Sequence, residues 1–484
     1  MRTDKDSTRS LDSGLLRRDF MKTASATALA VGFAGPAFAQ AAGTKRTLIK
    51  NAVVLSFDPK VGDFDKADVL IEGRKIAAVR PGIQADGAET IDASRMIAVP
   101  GFIDTNHHFY QSALRNVLAN GLLVDYFRDI SGAATNVYRP EDAYIGNYIG
   151  ALRSIDAGIT TITDLSQVSN TPAHSDALIK GLKDSGIRAL YGYSRGSGQG
   201  AKWPADLERI QKQHFPSRDQ LVTLAFGSAV NKDQWLLARK FGLRIFTHVV
   251  GTNPASAPEA VMKLGDEGLM KDDNVYIHYT GATQEQVKRI KDTGGWLSMA
   301  CPIEMAMQHG MPPIQAALDA GIRPSLSSDV ETTMAADMFS QMRSVFTLQR
   351  ALLNERAIKG EKDLPPFLQA KDVVEFATLQ GARADGMESR IGTLTPGKDA
   401  DLVLLRADTP NTLPLNNAYG AIVTGMDTSN VDSVFIAGKA MKRNGKLVGV
   451  NLANVRKRAA ASRDYLVAQL KWPTSVIDTS MSGH

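Results

Sequence analysis

The sequence predicts an α/β chain: a (β/α)8 barrel of the TIM type with a small composite β-sandwich domain built from both chain ends. Three observations predict it. Apolar, β-branched runs recur through the middle of the chain as "MIAVPGFID", "GITTITDL", "GIRALYGY", "LVTLAFG", "GLRIFTHV", "NVYIHYT", "GWLSMA" and "GIRPSLSSD". Most intervals between them hold helix-like segments such as "EDAYIGNYIGALRSIDA" and "TQEQVKRIKDT". About eight strands with helical crossovers fit a closed barrel better than an open doubly wound sheet. The third observation is that both flanks read as short alternating strands with turns, "RTLIKNAVVLSF", "DVLIEGRKIAAV" and "AETIDASRMIAVP" before the barrel, "RIGTLTPGKDADLVLLRA", "VDSVFIAGKAM" and "GKLVGV" after it. Two β-rich ends separated by a long middle assemble one small domain.

The elements follow in order. Residues 1–39 carry a paired arginine, Arg17 and Arg18, then Asp19-Phe20-Met21-Lys22, a short Ala/Gly-rich apolar stretch and Ala37-Phe38-Ala39. This is the layout of an export signal, and the twin arginine resembles a Tat signal peptide, so the expected location is periplasmic with a mature start near Gln40. Residues 40–98 form the N-terminal part of the β-domain, 99–385 the barrel, and 386–484 the C-terminal part of the β-domain and a terminal helix. Several barrel runs open on glycine, among them Gly158 and Gly186, where the preceding helix wants a left-handed cap.

Composition narrows the function. Of 484 residues, 43% are hydrophobic and 22% charged, which is ordinary globular material. A formal charge of +5 without a dense basic block gives no nucleic-acid footprint. No stretch of the mature chain has the apolar length of a membrane span. The single cysteine, Cys301, forbids an intramolecular disulfide and a multi-thiolate metal site, so any metal is held by His, Asp or Glu. The expected partner is a small-molecule substrate. Oligomeric state is open, a homo-oligomer included.

In a (β/α)8 barrel, catalytic side chains sit at the C-terminal ends of the strands. Here strand one ends in Asn106-His107-His108, strand five at His248, strand six at His278 and strand eight at Asp329. The chain has eight histidines in all, so this placement is hard to reach by accident. Strand alternation puts His108 and Asn106 on one face and turns His107 away. His174 and His214 read as solvated surface residues. The run 196–200, "GSGQG", lacks the ending of a phosphate-binding loop and reads as a mobile loop after strand three, a lid over the rim.

The combination "PGFIDTNHH", "THV", "IHYTG", "SSD" and "IGTLTPGKDADLVLL" resembles the amidohydrolase superfamily, in its cytosine deaminase-like and triazine hydrolase-like branch. The resemblance implies one divalent metal ion, zinc first with ferrous iron or manganese as alternatives. It places His108, His248 and Asp329 as ligands and Asn106 in a ligand position as a weak or absent one. It implies proton transfer by Asp329 and His278, and a substrate-facing Gln111. Glu304 and His309, in "CPIEMAMQHG", are candidates for the same rim. The implied chemistry is hydrolysis of a non-peptide C–N bond by metal-activated water.

Two departures stand out. Asn106 replaces the first histidine of the family's strand-one pair, and an amide oxygen is a weaker donor than imidazole toward zinc-type ions. Gly251 stands where the family's deaminases carry a glutamate beside the leaving nitrogen. Amide, cyclic amide or carbamate hydrolysis is therefore expected ahead of deamination or chloride displacement on a heterocycle. A metal-dependent lyase or decarboxylase, and a catalytically degenerate ligand-binding barrel, are the alternatives.

Overall fold

The computed structural model describes residues 45–197 and 201–477. The export segment and residues 198–200 of the Gly-rich run lie outside the described residues. Eight strands pair in parallel and in chain order, numbered here β1 (Phe102–His107), β2 (Ile159–Ser166), β3 (Arg188–Tyr193), β4 (Val222–Ser228), β5 (Ile245–Val249), β6 (Asn274–His278), β7 (Trp296–Met299) and β8 (Ser325–Leu326). β2, β3 and β6 are buried along their whole length, which is why these segments read as continuous apolar or small-residue runs rather than alternating ones. Gly158 and Gly186 precede β2 and β3 with φ of +87° and +77°, the left-handed turn their position demands.

Just beyond the end of β8 the barrel is joined to β1 through the backbone of three residues singled out above. His108 N donates to Asp329 O at 3.0 Å, and Asp329 N donates to Asn106 O at 3.0 Å. Lower in the same seam, Thr105 Oγ1 contacts Ser325 Oγ at 2.8 Å and Leu326 O at 3.1 Å. The floor is apolar: Ile103, Leu165, Leu190, Phe246, Val275 and Ile277 pack with Ala382, Met387 and Ile391 of the segment that follows the barrel and plugs its lower end.

The flanks form one hydrogen-bonded sheet of nine strands. Its order is Lys446–Leu447, Lys439–Arg443, Val431–Ile436, Leu402–Arg406, Met96–Pro100, Arg46–Val54, Phe64–Glu72 and Lys75–Arg80, with Glu89–Asp92 also paired to Arg46–Val54. The two chain ends meet where Leu402–Arg406 runs antiparallel to Met96–Pro100, and Leu404 lies opposite Ala98. Ile49, Val69, Ala98 and Leu404 share its core. The terminal helix, Leu452–Leu470, turns back onto the barrel helix Pro140–Asp156, with the Arg139 guanidinium 3.6 Å from the centre of the Tyr465 ring. Among the described residues, no helix is long and apolar enough to cross a membrane.

Two histidines depart from expectation. His174 is buried, not solvated: Thr171 Oγ1 donates to its Nδ1 at 2.7 Å, and its Nε2 donates to Tyr138 O at 2.9 Å. His214 is half-buried with Nε2 2.8 Å from Asp176 Oδ1. Both polar neighbourhoods turned out to be local partners rather than solvent.

Candidate active site

His108 follows β1, and its Nδ1 donates to Leu165 O at 2.8 Å. That bond commits the ring's proton, so Nε2 presents a lone pair. This Nε2 lies 3.2 Å from His248 Nε2 and 3.5 Å from Asp329 Oδ1. The His108 and His248 rings stack with centroids 5.1 Å apart. Burial, reinforced by the neighbouring His108 and His278, holds His248 well below the usual imidazole range, so it is a neutral donor at ordinary pH. Two imidazole lone pairs and a carboxylate oxygen, all within 4.8 Å of one another, converge on a single point. Without a cation between them the two nitrogens would repel. The donor set, two imidazoles and one carboxylate in a buried recess, fits a zinc-type ion with a position left for water.

Asp329 and His278 sit in left-handed backbone, φ +62° and +69°, which is strained for residues with a Cβ and recurs at functional sites. Burial pushes the Asp329 carboxyl up, but its contact with His108 and the charge of the nearby His278 outweigh it and leave the pKa lowered. His278 Nε2 is 3.9 Å from Asp329 Oδ2, while its Nδ1 donates to Glu304 Oε1 at 3.1 Å. Burial pulls His278 down, and the Glu304 bond with the charges of Asp329 and Glu304 more than restores it, so its pKa is raised.

Asn106 is buried beside this cluster. Its Nδ2 donates to Asp329 Oδ1 at 2.9 Å, and its Oδ1 has no hydrogen-bond partner. His107 points to the seam instead: Ser328 Oγ donates to Asp104 Oδ2, which directs His107 Nδ1 as donor to Ser328 Oγ at 2.9 Å. The ring packs edge-on against Phe109 and does not line the cavity.

The cavity above the cluster has a volume of about 360 Å³. His108, His248, His278, His309 and Asp329 lie at its base; Leu123, Tyr126, Phe127, Met307, Val250 and Val330 make apolar walls, and Gln167, Ser131, Ser194, Ser228 and Gln234 supply neutral polar groups. His309 is buried with both ring nitrogens unpartnered and its ring 4.9 Å from that of His278; burial pulls its pKa down to about 3. Gly251 leaves open space, since a Cβ built there meets nothing nearer than Asn253 O at 3.9 Å.

Two of the candidates lie behind the wall. Glu304 is fully buried and accepts from His278 Nδ1 and from Ala300 N, so it orients the histidine. Gln111 Nε2 donates to the hydroxyls of Tyr110 at 2.9 Å and Tyr126 at 2.7 Å. Tyr126 and Gln167 are lining residues the sequence reading missed. Gln167 directly follows β2, where the strand-end rule points, and Tyr110 hydroxyl donates to its Oε1 at 3.0 Å. Tyr126 opens a π-helical segment, Tyr126–Ala133, with no comparable signal in the residues. Replacing Glu304 by glutamine removes the carboxylate that raises His278. Turnover is expected to fall about tenfold or more, and the limb of the pH–rate profile reporting protonated His278 to move to lower pH; an unchanged profile would detach Glu304 from the chemistry.

Known proteins resemble this chain in sequence and fold. The chain is 25% identical over 421 residues to a 5'-deoxyadenosine deaminase of Methanothermobacter thermautotrophicus, covering 82% of this chain and 95% of that protein. It is 24% identical over 442 residues to a 5-methylthioadenosine/S-adenosylhomocysteine deaminase of Desulforudis audaxviator, covering 87% and 99%. In structure it matches a zinc-bound adenosine deaminase of Xanthomonas campestris with TM-score 0.78 and 22% identity, covering 88% of this chain and 99% of that one. A zinc-bound atrazine chlorohydrolase of Arthrobacter aurescens matches with TM-score 0.75 and 21% identity, covering 86% and 100%. The amidohydrolase family model matches residues 97–441, from the sheet strand that leads into the barrel, through every barrel strand, and back into the sheet; this chain belongs to the amidohydrolase family.

Proposed function

We propose that the protein is an exported hydrolase that cleaves a non-peptide C–N bond, of amide, cyclic amide or carbamate type, in a small molecule, using water activated at one divalent ion, zinc by preference. The observation that carries this reading is the convergence of His108 Nε2, His248 Nε2 and the Asp329 carboxylate at the base of a cavity. His108, His248 and Asp329 would hold the ion, with Asn106 Oδ1 beside them as a neutral oxygen. A divalent ion there supplies Lewis acidity, which lowers the pKa of water and polarises the electrophilic carbon's oxygen.

The chain's own groups do the rest. Asp329 stays ionised and accepts the proton of the attacking water, helped by the Asn106 N–H that fixes its Oδ1. His278, backed by Glu304, turns an N–H toward negative charge developing on the substrate. The proton on Asp329 then passes to the departing nitrogen. The apolar walls with Tyr126 and Phe127 limit water and suit a flat or alkyl-bearing substrate; His309 offers unpaired ring nitrogens to orient it, and Gln167 lines the same cavity.

A second reading is favoured by the names of the relatives, several of which are deaminases and one a chlorohydrolase. It is deamination or chloride displacement on a heterocycle, with His278 or His309 in place of the acid absent at Gly251. Hydrolysis in ¹⁸O-labelled water separates the alternatives. Label in a carboxyl or carbamate-derived product of C–N cleavage supports the first reading, label on a ring carbon that has lost ammonia or chloride identifies the second, and an unlabelled product removes both in favour of a lyase. Export through the Arg17–Arg18 segment predicts a periplasmic protein beginning near Gln40; an intact N-terminus in the cytoplasm would contradict it.

A further inference from the structure

A second cavity, of about 510 Å³, lies at the opposite end of the barrel from the catalytic cluster, between the N-terminal ends of β3, β4 and β5 and the plug residues Asp385–Met387. Its charges are not balanced. Of its four arginines, Arg239 is matched by Asp273, with two contacts of 2.7 Å, and Arg390 by Asp399 at 3.3 Å and Asp219 at 3.5 Å. Arg218 and Arg244 have no carboxylate within ion-pair distance among the described residues. Arg218 Nη2 donates to Gly242 O at 3.1 Å, and Arg244 donates through Nε to Ala384 O and through Nη2 to Arg383 O at 3.3 Å. Backbone carbonyls position these guanidiniums but do not neutralise them.

The floor of the cavity carries an unfilled polar group. Asp385 is 4% exposed; its Oδ1 accepts from Thr163 Oγ1 at 2.9 Å, while its Oδ2 is buried without a partner. Arg239 Nη1 is likewise buried and unpartnered on the same lining. Asp385 Oδ2 and Arg239 Nη1 are thus left open on one cavity wall, available to the polar groups of an occupant. We infer that this cavity binds a small oxyanion-bearing molecule, a phosphate or a carboxylate, between Arg218 and Arg244 with Asp385 at its base.

The electrostatics agree. Burial pushes the Asp385 carboxyl up to about 8, against the Thr163 bond and the Arg244 charge, so at neutral pH it donates a proton to an anion rather than repelling it. Burial pulls the Arg244 guanidinium down, against the charges of Asp385, Glu388, Asp272 and Asp273, none of which pairs with it directly. No histidine or cysteine is among the residues that line the cavity, so its role is binding. Because Met387 is both a lining residue and part of the apolar floor under β1, an occupant fastens the plug to the barrel.

The test uses the full, metal-loaded protein and follows its melting temperature and calorimetric binding during titration with inorganic phosphate and, separately, succinate, at constant ionic strength. The expected result is a saturable rise of about 2–4 °C with one of the two anions, identifying phosphate or carboxylate as the ligand chemistry. Arg218 is exposed, so Arg218→Met should fold and turn over substrate normally while its binding weakens at least about tenfold, the loss of one charge-assisted contact. Asp385→Leu should weaken it as well. Identical titrations of wild type and Arg218→Met, or no saturable shift with either anion, would overturn the assignment.

Discussion

Asp329→Asn is expected to lower turnover by about 10³-fold, within the range general-base catalysis supplies, while leaving the fold intact. Asparagine keeps the shape of the side chain and an oxygen facing His108, but removes the charge and the proton-accepting capacity. The effect is large because no neighbour can substitute: His248 is neutral and faces His108, and His278 already gives Nδ1 to Glu304. Turnover should be expressed per bound metal ion, so that weakened metal retention is separated from lost proton transfer. Activity within about tenfold of wild type on that basis would remove Asp329 as the base.

Arg188→Met is expected to destabilise the protein by about 3–5 kcal/mol, the cost of breaking a buried ion pair by removing one partner. Arg188 opens β3 and is fully buried; it donates to Asp401 at 2.7 and 2.9 Å and to Asp399 at 3.0 Å. Asp399 retains Lys75 at 2.8 Å and Arg74 at 3.1 Å, but Asp401 keeps only the Ala437 N–H at 2.7 Å. The barrel is thus clamped to the β-domain by a charge that methionine's volume cannot replace. The pH dependence has a definite sign. Burial raises Asp399, and the Lys75 hydrogen bond with the Arg188 and Arg74 charges more than reverses it, so its folded pKa is depressed. Its stabilisation is present above the unfolded carboxylate value of about 4 and is lost as pH falls through the folded one. Without the Arg188 charge the depression of Asp399 is smaller, so the deficit should narrow toward acid pH. Denaturant unfolding at neutral and acid pH measures both, and a neutral-pH loss under about 1 kcal/mol would place the clamp among pairs of surface-like weight.

The barrel and its seam were legible because backbone demands leave marks in residue type. Glycine before β2 and β3, continuous apolar runs and residues such as His248 and His278 at strand ends all follow from local rules. Those rules bring His108, His248 and Asp329 together and keep His107 out of the cavity. Side-chain direction beyond the strand ends was not legible. Glu304 and Gln111 follow strands seven and one in the expected places, yet each spends its polar atoms on a residue in front of it. Tyr126 enters through a π-helical turn that no residue announces, and His174 found its partners in Thr171 and a backbone carbonyl. Asn106 is the informative departure: by donating to Asp329 it supports the carboxylate, while its own oxygen stays buried without a partner.

His108, His248 and Asp329 are proposed to hold one ion. Elemental analysis of the gently purified protein, with His248→Ala and Asp329→Ala prepared in parallel, tests this most directly. About one zinc, iron or manganese per chain is predicted for wild type, and a small fraction of that for either variant. A wild-type protein without bound metal, or variants that retain it undiminished, would contradict the account.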